Sequence, residues 1–159
     1  MNDLLNLLKE NARLTNAQLA AMLGKTEQEV ADEIHALEQK GIIRGYTAIL
    51  NEELAQSTEV EALIELRVTP KRDLGFDDIA KTIMMYDEVE SVSLMSGAYD
   101  LALTVKGESL KEVAMFVSQR LSAMEGVLST ATHFVLKRYK DKGIFIEDEE
   151  QDERSMICP

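Results

Sequence analysis

Between Val60 and Leu136 the apolar residues switch between two spacings in a fixed order, and that order narrows the fold more than any other feature of the chain. Ala62, Ile64, Leu66 and Val68 recur at every second position, the period of a half-buried strand, which Pro70 ends because its nitrogen cannot donate to a ladder. Phe76, Ile79, Ala80, Ile83 and Met84 follow the spacing of a helix with one apolar face. Val92 and Leu94, then Leu101, Leu103 and Val105, alternate on either side of the turn Ser96-Gly97-Ala98-Tyr99-Asp100, which predicts a β-hairpin. Ser109 and Glu112 form a capping box for a second helix, with Leu110, Val113, Ala114, Val117, Leu121 and Met124 facing inward and Gly126 as its stop. Thr130, Thr132, Phe134 and Leu136 alternate along a last strand.

Strand, helix, strand, strand, helix, strand predicts a ferredoxin-like domain over residues 60–140, an antiparallel sheet with both helices on one face. The opposite face would carry Ser91, Ser93, Met95, Ala102, Thr104, Ser129, Ala131, His133 and Val135, side chains too dry for a solvated surface and too small for a core. Sheet-on-sheet packing of two copies resolves that mismatch and predicts a homodimer. In the hairpin turn, Gly97 permits a positive φ and clears the approach of a small ligand to backbone N–H groups, while Asp100 is an acceptor suited to an ammonium.

The first fifty residues follow another grammar. Leu4, Leu5, Leu7 and Leu8 open a helix that runs to about Asn11. Thr15 to Gln18 is a capping box for a second helix that buries Leu19, Met22 and Leu23 and ends at Gly24. Thr26 to Glu29 is another, for a third helix with Val30, Ile34 and Leu37 inward and Gly41 at its end. Two short helices joined by a tight glycine turn are the pattern of a helix-turn-helix, and Ile42 to Leu50 reads as a strand pair or wing beside it. The sequence thus predicts an α+β chain: a winged helix-turn-helix over 1–50, a linker over 51–59, the domain of 60–140, and an acidic tail over 141–159 in which Ile144-Phe145-Ile146 could add an edge strand.

Across the 159 residues the net charge is -12, and no segment is basic: residues 1–50 hold 5 Lys+Arg against 7 Asp+Glu. Any nucleic-acid contact must therefore come from a local patch. No apolar run nears the roughly 18 residues of a membrane helix, the start Met1-Asn2-Asp3 does not read as a signal peptide, and the single cysteine, Cys158, allows no internal disulfide. These features predict a cytoplasmic protein away from membranes. The sequence shows no glycine-rich phosphate loop, no metal-ligand cluster and no nucleophilic triad, so no cofactor or metal and no enzymatic activity is expected.

Gln18-Leu19-Ala20, Leu23-Gly24, Val30, Ile34, Leu37-Glu38 and Gly41-Ile42-Ile43-Arg44-Gly45-Tyr46, followed by a βαββαβ domain with Ser96-Gly97-Ala98-Tyr99-Asp100, resemble the Lrp/AsnC family of bacterial and archaeal regulators from residue 2 to about 140. The resemblance implies a winged DNA-binding domain joined to an ACT-like or RAM domain that dimerises and often assembles to octamers. It also implies an amino-acid effector at contacts between dimers. Carried over, it assigns the effector to Leu94, Met95, Ser96, Gly97, Ala98, Tyr99 and Asp100, with Thr130 and Thr132 across the sheet. The chain departs from relatives that carry Arg or Lys along the recognition helix, since here Glu27, Gln28, Glu29, Asp32, Glu33, His35 and Ala36 stand there. Glu29 belongs to a capping box, whereas Asp32 and Glu33 have no evident structural task. Double-stranded DNA is then left to Lys25, Thr26, Gln28, His35, Lys40 and Arg44, with Asp32 or Glu33 able to accept from cytosine N4. Two other readings remain open: a sensing protein that has lost DNA binding, and a relative of the sirohaem decarboxylases.

Overall fold

Three N-caps lay out the beginning of the chain. The Asn2 side chain accepts from the Leu4 N–H and starts α1 (Asp3–Glu10), and Thr15 and Thr26 form complete capping boxes with Gln18 and Glu29 at the heads of α2 (Asn16–Leu23) and α3 (Glu27–Gln39). Gly24 closes α2 at φ 65°, a left-handed conformation that a Cβ would strain. The computed structural model describes residues 2–69 and 75–146, and the chain divides into two compact units, residues 1–49 and 50–159.

In the first unit Leu4, Leu19, Ala20 and Val30 form the buried core, with Leu7, Leu8, Leu14, Leu23, Ile34 and Leu37 packed around it. Met22, expected inward, is 60% exposed, because α2 turns only Leu19, Ala20 and part of Leu23 toward its neighbours. The expected strand pair over Ile42 to Leu50 is absent: α3 ends at Gln39 with Lys40 as its C-cap, Gly41 turns the chain at φ 66°, and residues 44–50 run on without ladder partners. Instead the Tyr46 hydroxyl donates to Glu38 at 3.1 Å. With so few fully buried side chains, Leu19→Ala is expected to cost this unit about 2–5 kcal/mol. Helical circular dichroism during urea unfolding of the full chain checks this, as an added early transition.

The second unit holds β1 (Val60–Val68), α4 (Gly75–Ile83), β2 (Val89–Leu94), β3 (Leu101–Gly107), α5 (Leu110–Phe116), β4 (Val127–Phe134) and the short β5 (Lys140–Asp141) and β6 (Ile144–Phe145). The main sheet is antiparallel in the order β2-β3-β1-β4, the ferredoxin-like arrangement that the alternation implied. Its core joins Ala62, Ile64, Leu66 and Val68 of β1, Leu101, Leu103 and Val105 of β3, Ile83, and Val113, Phe116, Val117 and Leu121. Phe116 and Val117 are buried side by side because the helix widens into a π turn over Val117–Leu121, with Ser122 N donating to Val117 O at 2.8 Å. That widening escapes a periodic reading.

Other inward assignments change for related reasons. Leu110 is 55% exposed and Ala114 is exposed, since α5 turns Val113 and Phe116 inward instead, and Met84 lies past the end of α4 and is exposed. Leu136 is 93% exposed, because β4 stops at Phe134. Ile144 and Phe145 pair with Lys140 and Asp141 in a separate hairpin rather than extending the sheet. Pro70 and the acidic run from Glu147 lie outside the described residues. Gly126 has a structural need of its own: at φ +91°, an added Cβ would sit 3.1 Å from Ile79 Cδ1 and 3.3 Å from the Thr69 carbonyl.

Among the described residues of the second unit, none covers the sheet's other face. Cross-strand partners point to the same side, so Leu63, Glu65 and Arg67 join Thr104, Ala102, Ser91, Ser93, Ser129, Ala131 and His133 there. This face is more charged than expected, because β1 contributes a carboxylate and a guanidinium at its centre, and His133 Nε2 lies 3.5 Å from Glu65 Oε1.

Candidate functional site

Helix α3 is presented for reading by the two capping boxes and by one acid that pins it. Glu33 accepts from Lys25 Nζ at 2.5 Å and from the Asn2 side-chain amide at 2.5 Å, so a single carboxylate ties α3 to the α2–α3 turn and to the head of α1. These two donors hold the Glu33 carboxyl below its usual range, in the order Lys25 then Asn2. Glu33 therefore has a structural task, contrary to expectation, and Asp32 has a partner in Gln28 Nε2 at 2.9 Å. The Thr26 backbone N–H, and after it the Thr26 hydroxyl, hold the Glu29 carboxyl below its usual range through the cap.

Of the residues assigned to DNA, Lys25, Thr26, Gln28, Asp32 and Glu33 sit along the first half of α3 and the turn before it, with Lys25 bonded to Glu33, Gln28 to Asp32, and Thr26 to Glu29 of its capping box. His35 is exposed further along the helix, and Lys40 and Arg44 are exposed beyond its end. The Arg44 guanidinium lies over Gly41, 2.8 Å from where a Cβ would stand, so glycine there serves both the turn and the arginine. Asn2 was missed by sequence reasoning, although an Asn before Asp3-Leu4-Leu5 has the signature of an N-cap.

In the second unit, residues 95–100 form the loop between β2 and β3, exposed from Met95 to Ala98 and half-buried at Tyr99 and Asp100, with Leu94 as the last residue of β2. Met95 N donates to Asp100 O at 2.8 Å and closes it. Asp100 does more than cap the hairpin: its N–H donates to Leu66 O at 2.9 Å, and its Oδ2 accepts from Val68 N at 2.9 Å. The carboxylate stands in for the ladder acceptor that β3 no longer supplies where β1 continues past it. Gly97 is not among the glycines at positive φ, and an added Cβ would meet nothing within 4 Å. Its expected conformational role is thus unused, and what it provides is open space.

Thr130 and Thr132 are not brought to this loop. They pair with Leu66 and Ile64, on the helix side of β4, two strands from β3 and so about 10 Å away. The Thr130 and Ser122 hydroxyls lie 3.3 Å apart. An open cleft of about 300 Å³ lies elsewhere, along α5, lined by Glu88, Lys111, Met115, Phe116 and Arg120; it includes no effector candidate, and Arg120 is engaged there by Glu88 at 3.4 Å. Among the described residues no group of His, Cys, Asp and Glu is arranged to hold a metal, and no helix is long and apolar enough to cross a membrane.

Residues 2–44 match the profile of a winged helix-turn-helix DNA-binding domain, and residues 61–145 match that of the Lrp/AsnC ligand binding domain. The chain belongs to the Lrp/AsnC family. Relatives of this Lrp/AsnC protein include the HTH-type transcriptional regulator YugG of Bacillus subtilis, 42% identical over 158 residues that span 99% of this chain and 95% of that one. The leucine-responsive regulatory protein of Haemophilus influenzae is 24% identical, over 90% of this chain and 86% of its own. Among solved structures, a transcriptional regulator of Neisseria meningitidis in complex with L-methionine superposes with a TM-score of 0.70 at 27% identity, covering 89% of this chain and 93% of that one. The leucine response regulatory protein of Mycobacterium tuberculosis shares the fold at a TM-score of 0.73 and 22% identity, covering 92% of this chain and 100% of that one. The chain is accordingly a transcriptional regulator, with DNA as the partner of its first unit and a small-molecule effector as that of its second.

Proposed function

We propose that this Lrp/AsnC regulator senses an amino acid or a closely similar metabolite at the loop Leu94, Met95, Ser96, Gly97, Ala98, Tyr99 and Asp100, and that it reads DNA as a homodimer assembled into a ring of dimers. The reading of the effector is carried by the relative from Neisseria meningitidis, whose structure holds L-methionine. Chemistry supports it: a loop with exposed backbone, open at Gly97, beside an anionic side chain offers donors to a carboxylate and an acceptor to an ammonium. Thr130 and Thr132 belong to this site only if a neighbouring copy brings them to the loop. The uncovered sheet face supports the homodimer, since two copies can bury Leu63, Ala102, Ala131 and Val135 against each other. Thermal-shift screening against the twenty amino acids tests the effector, because a ligand bound only to the folded state raises the melting temperature. No shift with any of them rejects the effector class.

One observation favours a second reading, a sensor with weakened DNA binding: the one lysine at the head of α3 is neutralised by Glu33. The helix then offers phosphates little beyond Lys40 and Arg44 past its end. Several heads on one ring offset weak individual contacts. If α3 lies against DNA, Asp32→Lys is expected to tighten binding on unrelated duplexes alike and to steepen the salt dependence by about one ion, since it adds one phosphate contact without touching the Glu33 tie. Fluorescence anisotropy across a salt series reads both quantities. Unchanged affinity would place α3 away from the duplex and favour the second reading.

A further inference from the structure

The segment that leads from the DNA-reading unit into the sensing sheet is gripped by one side chain. Lys106, near the end of β3 and only 24% exposed, places its Nζ 3.3 Å from Glu52 Oε1, 3.8 Å from Glu59 Oε2 and 3.2 Å from Glu90 Oε1. Two of those carboxylates belong to the connecting stretch 51–59, and the third to β2. Partial burial disfavours the ammonium, yet Glu90 and Glu52 outweigh it and hold the Lys106 pKa above the usual lysine range. The stretch itself is folded: Ala55 N donates to Asn51 O at 3.0 Å, Ser57 N to Glu52 O at 3.0 Å, and the Asn51 side-chain amide to the Ile146 carbonyl at 2.9 Å.

The other end of β3, Leu101, directly follows Asp100, the last residue of the proposed effector loop. Strand β3 lies between β2 and β1 and is hydrogen-bonded to both, which stiffens it against bending. The six steps from Asp100 to Lys106 span about 20 Å. An effector changes DNA affinity only if it binds two arrangements of the chain unequally, and the difference must cross that distance through connected parts. A slack connection absorbs a displacement of the strand, whereas one held by an ammonium between two of its own carboxylates follows it.

We propose that Lys106 is a positioning residue that couples the effector loop to the DNA-reading unit, by holding through Glu52 and Glu59 the segment that connects them. The inference rests on the assignment of the effector to residues 94–100. It involves no contact between Lys106 and the ligand or the DNA.

The test uses the full chain and compares Glu52→Gln with Glu59→Gln, which loosens the connecting segment, against Glu90→Gln, which removes a carboxylate from the same ammonium on the sheet side. Lys106→Met is the third variant. Anisotropy on a duplex from the region upstream of the protein's own gene gives DNA affinity, with and without whichever of the twenty amino acids shifts the wild-type melting temperature most, and the shift itself reports binding. The wild type is expected to change affinity by a factor in the range of about 5–150. The Glu52→Gln, Glu59→Gln chain should keep the thermal shift and its bare DNA affinity, yet change affinity by less than about twofold on adding the effector. Glu90→Gln should respond as the wild type does, and Lys106→Met as the double variant. Three results overturn the inference: an undiminished response in the double variant, an equal loss in Glu90→Gln, or loss of the thermal shift together with the response. A wild-type chain that no amino acid affects overturns the proposed function first, and the coupling role with it.

Discussion

Gly97→Asp is expected to abolish effector binding while leaving the fold as it is. An added Cβ at residue 97 meets nothing within 4 Å, and the glycine does not occupy a conformation reserved for it, so the substitution strains neither packing nor backbone. Its carboxylate would stand in the space that a ligand enters and repel the ligand's own carboxylate, a loss of about 2–3 kcal/mol, or roughly 30- to 150-fold in affinity. Thermal shift checks both halves: an unliganded melting temperature near that of the wild type, and no rise with the effector. The same experiment on Asp100 would be ambiguous, because its Oδ2 satisfies the Val68 N–H and its removal would orphan a backbone donor at the sheet's end. Gly97→Ala separates bulk from charge, and should weaken binding less than Gly97→Asp. A full effector response in Gly97→Asp would remove the loop from the site.

The contrast between these two residues shows how far the sequence could be read. Alternating residues in β1 and β3 and the caps at Thr15, Thr26 and Ser109 are local signals, each set by neighbours a few positions away, and the elements they imply form, although at Ser109 the expected box is only half made because Glu112 accepts from the Glu108 N–H instead. The tasks of Asp100, Glu33 and Lys106 depend on atoms 31 to 54 positions distant, such as Val68, Asn2 and Glu52, and no spacing rule reaches them. Glu33 illustrates the cost of a local reading: as a charge on a helix it looked spare, while in the fold it ties α3 to the α2–α3 turn and to the head of α1. The π turn at Val117 and the end of β4 at Phe134 fail for another reason, since each breaks a period that the residues themselves continue.

If two copies pack sheet on sheet as proposed, Leu63→Asp is expected to split that dimer with little effect on the single chain. Leu63 lies on the uncovered face at the middle of β1, paired with Thr104 on one side and His133 on the other, and it is already 39% exposed, so an aspartate there stays solvated in the monomer. In a dimer packed sheet on sheet the same carboxylate would be buried near Glu65 and opposite its own symmetry copy, without a dedicated cation. Desolvation and like-charge repulsion then weaken association by about 3–4 kcal/mol, or a factor of some hundreds. Sedimentation equilibrium over a dilution series reads the dimer constant, and circular dichroism confirms the fold. DNA binding supplies a second readout, because two heads held together act at an effective concentration that adds about 10²–10⁴ to affinity, and a monomer forfeits it. A Leu63→Asp chain that stays dimeric at wild-type strength would move the interface off this face. It would also leave the uncovered β1 surface without the partner that explains why an aliphatic side chain stands there.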